Sequence, residues 1–502
     1  MSLCEVDGRT VRQPHTAETD VVIVGSGPAG AVVARHLSER GIPVIVVEEG
    51  HPAPPQSFSE SGLQAMASLY RDMGTSIAFG NLSMPYLQGR VVGGTSVING
   101  AICWKFPREV WEEWVSNDRT LADALPFESI SKAEAQIEKR LNIHSTTENV
   151  AGRKNLLLGQ GAETLGVQHR PIARNVSGCV GEGRCLQGCP HGHKLSMDRS
   201  YLPDAVERGG RIWSGMRVDR VVIDHGRARG VVGRTAAGAP FQIRARRAVV
   251  LAASAIQTPV LLRRSGVTQG PVGDNLCAHP GVSVTGLFKE SVVAWRGATQ
   301  GHEVIGYRSE GIKLEALGFD LSILASRVPG VGSAFAKRLA NLDKYAVWGA
   351  ALRAKAKGRV RPGVSRPWVT YSLTPGDIEK ARRAVRILAD LFLAAGALEV
   401  YPSIAGFHPT IRTPSEAASI ESEASLNPSA YSMSMTHLFG TAKMGSDPQT
   451  SVVRPTFETH QTKSLFVADS SVFPDNLGVN PQVPIMALAD LCAASLVNVE
   501  GR

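Results

Sequence analysis

Residues 20 to 48 constrain this chain more than any other stretch, because they spell one complete βαβ unit. Asp20-Val-Val-Ile-Val24 reads as a buried strand, Gly25-Ser-Gly-Pro-Ala-Gly30 as a turn and Ala31 to Arg40 as a helix stopped by Gly41. Ile42 to Val47 then forms a second strand that ends on Glu48. The glycines have separate jobs: Gly25 permits a tight turn, Gly27 lets backbone N–H groups approach a pyrophosphate, and Gly30 lets the helix lie against the strand. Glu48 follows Gly30 by eighteen residues, where a carboxylate accepts hydrogen bonds from an adenosine ribose. The order of strand, loop, helix, strand and acid predicts a dinucleotide site, although the loop alone does not separate FAD from NAD.

At 502 residues, 43% apolar and 20% charged, the chain has room for two or three domains or one large discontinuous fold. No apolar run approaches the roughly 20 residues that span a bilayer, and Met1 to Glu18 is too polar for a signal peptide. Seven cysteines, an odd number scattered from Cys4 to Cys492, do not resemble a secreted disulfide framework. A soluble, cytoplasmic protein is the expectation. The net charge of +9 comes largely from one segment, where Lys337, Arg338, Lys344, Arg353, Lys355, Lys357, Arg359 and Arg361 face only Asp343. This reads as a solvated helical face or connector; the interleaved Phe335, Leu339, Leu342, Tyr345 and Trp348 raise a peripheral membrane contact through 335–361 as the sharper alternative. No zinc-finger, helix-turn-helix or RNA-sheet signature is present, so nucleic acid is not an expected partner.

Arg217 to Ile223 and Gly230 to Val232 read as paired strands, and Arg246 to Ala252 as another apolar run that continues the nucleotide sheet after a long insertion. Thr374-Pro-Gly-Asp377 starts a helix that runs to about Gly396 with Ile378, Ala381, Val385, Leu388 and Phe392 on one face. Pro52 to Ser59 and Gly358 to Arg366 are expected loops.

A second glycine-rich stretch, Gly89-Arg-Val-Val-Gly-Gly-Thr-Ser-Val-Ile-Asn-Gly100, offers close backbone approach to a flat ring through its paired glycines. Thr95, Ser96 and Asn99 add short polar contacts suited to an isoalloxazine and its ribityl chain. Near the C-terminus, His437 heads His-Leu-Phe-Gly-Thr and Asn480 lies in Gly-Val-Asn-Pro beyond Phe466-Val-Ala-Asp469. A proton acceptor and an amide beside a redox cofactor suggest alcohol oxidation.

These motifs together resemble the glucose-methanol-choline (GMC) flavoprotein oxidoreductases. Gly25 to Gly30 with Glu48 resembles the family's FAD site, Gly89 to Asn99 its first signature, and Ser254-Ala-Ile-Gln-Thr-Pro-Val-Leu-Leu-Arg-Arg-Ser-Gly-Val267 its second. Val272-Gly-Asp-Asn-Leu276 with His279-Pro280 is similar to another recurring segment, and His437 to Val483 to the C-terminal block. The matches run from about residue 19 to 497 in family order and are thinnest over 290–430.

The resemblance implies an α/β and α+β fold: a discontinuous Rossmann-like FAD-binding domain with a substrate domain built on an antiparallel sheet flanked by helices. The expected segments are 17–105 and 201–290 for the FAD domain, 106–200 for an insertion with a Cys-rich loop, 291–432 for the substrate domain, and 433–502 returning to the FAD domain. It also implies His437 and Asn480 at the substrate hydroxyl, with His437 as acid/base or electrostatic stabiliser. The implied cofactor contacts are Gly25, Gly27, Pro28, Ala29, Gly30, Glu48, Glu49, Arg90, Gly94, Thr95, Ser96, Asn99, Gly100, Val218, Ala253, Asp469, Gln482 and Val483. Asp469 suits cofactor hydroxyls or water near the phosphates, and the last helix opens at Asn480-Pro-Gln-Val-Pro484 with its N-terminal dipole toward flavin N1 and O2.

Ser96-Val97-Ile98-Asn99 lacks the histidine that attaches FAD covalently in some members, so FAD is expected to be non-covalent. Cys103, Thr268 and Arg454 depart from the family's usual residues without touching this chemistry. Cys179, Cys185 and Cys189 fall within eleven residues and resemble the loop that carries an iron–sulfur cluster in certain sugar dehydrogenases of the family. A loop of small, partly buried thiols is the plainer reading, with His191 and His193 as solvated neighbours. The expected reaction is oxidation of an alcohol, with oxygen or another electron acceptor. The family also includes a lyase and a decarboxylase, which keep non-redox flavin chemistry open as an alternative. Phe319, Leu321, Ile323, Leu324, Tyr345, Trp348 and Trp368, expected to line or cover the pocket, suggest a bulky or hydrophobic alcohol. Oligomeric state is not readable from the sequence.

Overall fold

A computed structural model of the protein describes residues 3–497. The βαβ unit forms as the sequence predicts, with strand His15–Val24, helix Pro28–Ser38 and strand Val44–Val47. The helix begins at Pro28 rather than Ala31 because proline, lacking an N–H, is at home in a helix's first turn. The first strand reaches back to His15 because its early residues pair with Phe241 to Ala245 of strand Pro240–Leu251. That pairing is parallel, as are those of His15–Val24 with Val44–Val47 and of Val44–Val47 with Arg211–Ser214. Leu465–Val467 joins Pro240–Leu251 in parallel as well. Met216–Asp224 and Arg227–Thr235 then add an antiparallel hairpin, as the sequence predicts. Val21, Val22, Ile23, Val44, Ile45 and Val46 are all buried, the signature of a sheet covered on both faces.

The second sheet is antiparallel. It takes strands in the order Glu399–Tyr401, Cys277–Leu287, Tyr345–Leu352, Ile312–Leu317, His302–Val304 and His169–Pro171, with Ser434–Phe439 also on Cys277–Leu287. The chain therefore crosses between sheets before Cys277, not at residue 290, and the 106–200 insertion lends this sheet a strand. Helix Pro375–Ala394 packs on one face, and its N-terminus carries a capping box between Thr374 and Asp377. On that face Trp348 stacks on Phe392 with ring centroids 3.7 Å apart, and its indole N–H donates to the Lys154 carbonyl at 3.1 Å. Val284 and Ala316 share the same buried cluster.

Two expectations are overturned here. Gly358–Arg361 is a strand paired with Trp368–Tyr371, not loop, because the Arg-rich pattern hid a two-residue alternation in which Gly358 and Val360 are buried. The basic stretch 335–361 is neither one helical face nor a connector. It contains the end of helix Gly332–Leu339 and then a central strand in which Tyr345 and Trp348 are almost wholly buried, so these rings are core and unavailable to a membrane surface. No described helix is long and apolar enough to cross a membrane.

Trp348→Ala removes a fully buried stacked ring and leaves the Lys154 carbonyl without its donor. The expected loss is about 3–5 kcal/mol of unfolding free energy, read as a lower urea midpoint.

Candidate functional site

A cavity of about 1310 Å³ runs between the parallel sheet and the uncovered face of the antiparallel one. Its nucleotide half is shaped by two glycine loops in backbone contact: a Cβ on Gly94 would lie 2.7 Å from the Gly27 Cα. Glu48 holds these loops. Its carboxylate is buried and accepts from the Ser26 N–H at 3.0 Å, the Ser26 hydroxyl at 2.6 Å and the Gly50 N–H at 2.8 Å, while the Gly93 N–H donates to Ser26 Oγ at 3.0 Å. Burial pushes the Glu48 carboxyl up from its ordinary range, opposed by those donors.

Every residue expected from the sequence to bind cofactor lines this cavity except Gly30 and Val483. Gly30 serves packing: a Cβ there would sit 1.9 Å from the Gly25 carbonyl oxygen. Val483 is buried in helix Gln482–Val497, which opens two residues after Asn480. Asp469 spends its carboxylate on the Ser254 N–H at 3.0 Å, the Thr258 hydroxyl at 2.5 Å and the Ser471 N–H at 2.9 Å, fastening the start of helix Ser254–Arg264 to the C-terminal block. Ser96 likewise serves the loop, donating to the Gly93 carbonyl. Asn99 donates to Gln482 Oε1 at 2.5 Å, joining the second glycine loop to the last helix.

The residues present fit a flavin dinucleotide. Gln88 Oε1, Gln257 Nε2, Asn480 Oδ1 and Gln482 Nε2 are buried around this cavity without a protein partner among the described residues, and buried amides of this kind require one.

At the other end of the cavity, strand Ser434–Phe439 carries His437, and the neighbouring strand Cys277–Leu287 carries His279. The two Nδ1 atoms lie 3.0 Å apart with the rings nearly perpendicular, and the Gly478 N–H donates to His279 Nε2 at 2.9 Å. The tautomers follow from these bonds. A backbone N–H can only donate, so His279 Nε2 accepts, His279 Nδ1 carries the proton and donates to His437 Nδ1, and neutral His437 carries its proton on Nε2. Burial, and second the charge of Lys313, lower His437 to about 3, while burial and the neighbouring His437 hold His279 well below the ordinary histidine value. Both rings are neutral near pH 7.

Sequence reasoning missed Gln300, Glu315 and Arg327 as cavity residues, and His279 as the buried partner of His437. Glu315 accepts from Lys313 Nζ and from Gln300 Nε2, each at 2.8 Å. The alternation Cys277, His279, Gly281, Ser283 on one strand face was the available signal for His279. Of the residues expected to cover the pocket, Phe319 and Ile323 line it. Leu324, Tyr345 and Trp348 are core instead, and Leu321 and Trp368 are exposed, the latter stacked on Phe79. Of the three clustered thiols, Cys179 and Cys185 lie 3.6 and 3.2 Å from the two terminal nitrogens of the buried Arg174 guanidinium. Among the described residues no group of three His, Cys, Asp or Glu side chains is arranged to hold a metal ion.

Family models described as GMC oxidoreductase match residues 20–281 and 354–489. The chain belongs to the GMC oxidoreductases. It is 36% identical over 493 residues to an uncharacterized GMC-type oxidoreductase of Mycobacterium tuberculosis, covering 97% of this chain and 77% of the relative. It is 29% identical over 520 residues to a long-chain-alcohol oxidase of Arabidopsis thaliana, covering 98% and 70%. In fold it is similar to a formate oxidase variant of Aspergillus oryzae, with a TM-score of 0.72, 18% identity and coverage of 96% and 98%. GMC membership supports FAD as the cofactor of this chain.

Glu48→Gln keeps the shape but loses the charge that draws three donors together. About a tenfold or greater rise in the FAD dissociation constant is expected, measured as flavin lost on desalting.

Proposed function

We propose that this GMC oxidoreductase oxidises a bulky or hydrophobic alcohol to an aldehyde or ketone with non-covalently bound FAD. The observation that carries the reading is the Gly478–His279–His437 hydrogen-bond chain, which ends at the cavity that Asn480 also lines. Gly25, Gly27, Glu48, Gly94, Asn99, Ala253 and Gln482 are the residues that would hold the cofactor. When bound, the flavin supplies the acceptor for a hydride from the alcohol carbon.

The chain's own groups serve the alcohol oxygen. With Nδ1 occupied by His279, the His437 Nε2–H donates to that oxygen, holds it for hydride transfer and stabilises the negative charge that grows there as the O–H proton is released to solvent water. This network favours the electrostatic role over general-base catalysis, because accepting a proton at Nε2 needs the tautomer in which His437 Nδ1–H donates to His279, and the Gly478 N–H at His279 Nε2 keeps the proton of that ring on Nδ1, where it cannot accept. The buried Asn480 Oδ1, which has no protein partner among the described residues, accepts from the hydroxyl and so orients it. Leu317, Phe319 and Ile323 on the substrate side, together with the long-chain-alcohol oxidase relative, support an apolar substrate body. Oxygen or another acceptor takes the electrons onward.

Anaerobic addition of a long-chain alcohol is expected to bleach the flavin absorbance; product formed over an unchanged flavin spectrum would establish the lyase or decarboxylase alternative instead. A broad visible shoulder beside the flavin peaks, with stoichiometric iron, would support the cluster-bearing dehydrogenase. His437→Ala should lower kcat by about a hundredfold to a thousandfold with FAD retained, the cost of one such donor. His279→Leu should lower kcat more than it raises KM, and His279→Gln, which can both accept from Gly478 and donate to His437, should recover part of it.

The histidines also set a pH dependence. His437 has a folded value of about 3 against 6.5 when free, so its neutral form stabilises the fold fully above about pH 6.5. That contribution is lost as pH falls from there toward 3, and the urea midpoint should decline over this window. The kcat/KM profile should show no His437 ionisation between about pH 5 and 8.

A further inference from the structure

Arg327 follows the short helix Leu321–Ser326 and lines the same cavity as His437. Among the described residues its guanidinium makes one side-chain hydrogen bond, to Ser283 Oγ at 3.4 Å, and its carbon lies 5.9 Å from the Phe319 ring centroid. No carboxylate among the described residues forms an ion pair with it. Asp320, at the other end of the helix, is committed to the Ile323 N–H, the Ser322 hydroxyl and the Gly62 N–H. Glu315 is committed to Lys313 and Gln300 and sits two strands away, since Ser283 and Glu315 both register with Gly349, about 10 Å across the sheet. Burial pushes the Arg327 guanidinium below the ordinary arginine value, with no nearby carboxylate to offset it. A half-buried cation that faces a cavity without a counter-ion is costly unless an anion arrives there.

The distance to the reactive end is set by one strand. Ser283 lies four residues beyond His279 on Cys277–Leu287, about 13 Å at a strand's rise. Between them Gly281, Gly349 and Ala351 leave the sheet floor bare, and Leu317, Phe319 and Ile323 line the cavity with apolar surface. The arrangement is a hydrogen-bonding end at His437, a slot for hydrocarbon, and a positive charge at the far end.

We propose that Arg327 is the subsite for an anion at the far end of the substrate, so that the preferred alcohols are aliphatic chains carrying a hydroxyl at one end and a carboxylate at the other. This rests on the alcohol-oxidising reading of the cavity and adds to it the polarity of the substrate's tail. A guanidinium suits a carboxylate because its paired N–H groups meet both oxygens.

The test uses the FAD-loaded enzyme with ω-hydroxydecanoate, its methyl ester and decanol. The wild type is expected to show a KM for the hydroxy acid about tenfold to a hundredfold below those of the ester and decanol, the range for a charge-assisted hydrogen bond. In Arg327→Leu the ratio between acid and ester should fall to about one, and Arg327→Lys should keep part of it. Binding of decanoate, followed by perturbation of the flavin spectrum, gives a readout that needs no turnover, and its Kd should rise about tenfold or more in Arg327→Leu. Equal KM for acid and ester in the wild type, or equal decanoate affinity in wild type and Arg327→Leu, overturns the proposal; an arginine that served only to end its helix would lower thermal stability and leave those affinities unmoved. If decanoate binding depends on Arg327 while none of the three alcohols reduces the flavin, the subsite stands and the alcohol reading fails.

Discussion

The hydrogen bond from the Ser26 hydroxyl to Glu48 is the constraint on which the rest of this structure depends. Through it one serine ties the first glycine loop to the end of the second strand, and by accepting from the Gly93 N–H it ties both to a loop 67 residues further on. A buried carboxylate is expensive unless donors surround it, and here three do. The tie brings Gly27 and Gly94 to backbone contact, a separation that a side chain at Gly94 would not allow. Asp469 repeats the device at the opposite side of the cavity, drawing the second signature and the C-terminal block onto one buried carboxylate.

The substrate half is shaped by alternation across a single sheet. Val284, Trp348 and Ala316 face the helix Pro375–Ala394 and fill a core, whereas Ser283, Gly349 and Glu315 on neighbouring positions face the cavity. Ser283 and Gly349 leave room for the slot on the second face, and Trp348 stacked on Phe392 fills the core behind it. Strand Cys277–Leu287 pairs with Ser434–Phe439 along one part and with Tyr345–Leu352 along most of its length, so the His279–His437 contact and the slot share one backbone. Behind the slot, Lys313 lies between Glu303 and Glu315 at 2.8 Å from each. Its charge contributes to keeping His437 neutral.

Local order was legible wherever a motif was self-contained. The βαβ unit, the hairpin of Met216–Asp224 with Arg227–Thr235, and the capped helix Pro375–Ala394 all follow from periodicity and turn chemistry within a few dozen residues. The segment 335–361 was misread because its cations dominate the composition, while the residues that decide its fate, Tyr345, Val347 and Trp348, alternate in a strand buried on both faces. Such a strand carries no amphipathic pattern, only burial that its neighbours supply. His279 was visible as part of a recurring motif but not as a partner of His437, since the pair is separated by 158 positions and meets only through strand pairing.

The sequence by itself determined the dinucleotide loop, the glycine-rich family signatures and the candidate pair His437 and Asn480, because these depend on short-range backbone freedom and on side chains whose chemistry is intrinsic. Tertiary structure alone decided which nitrogen of His437 bears the proton and how far Arg327 stands from it. Both depend on long-range contacts, a backbone N–H from one loop directed at a ring on another strand and a fixed strand rise between two side chains, and no local pattern encodes where such partners will meet.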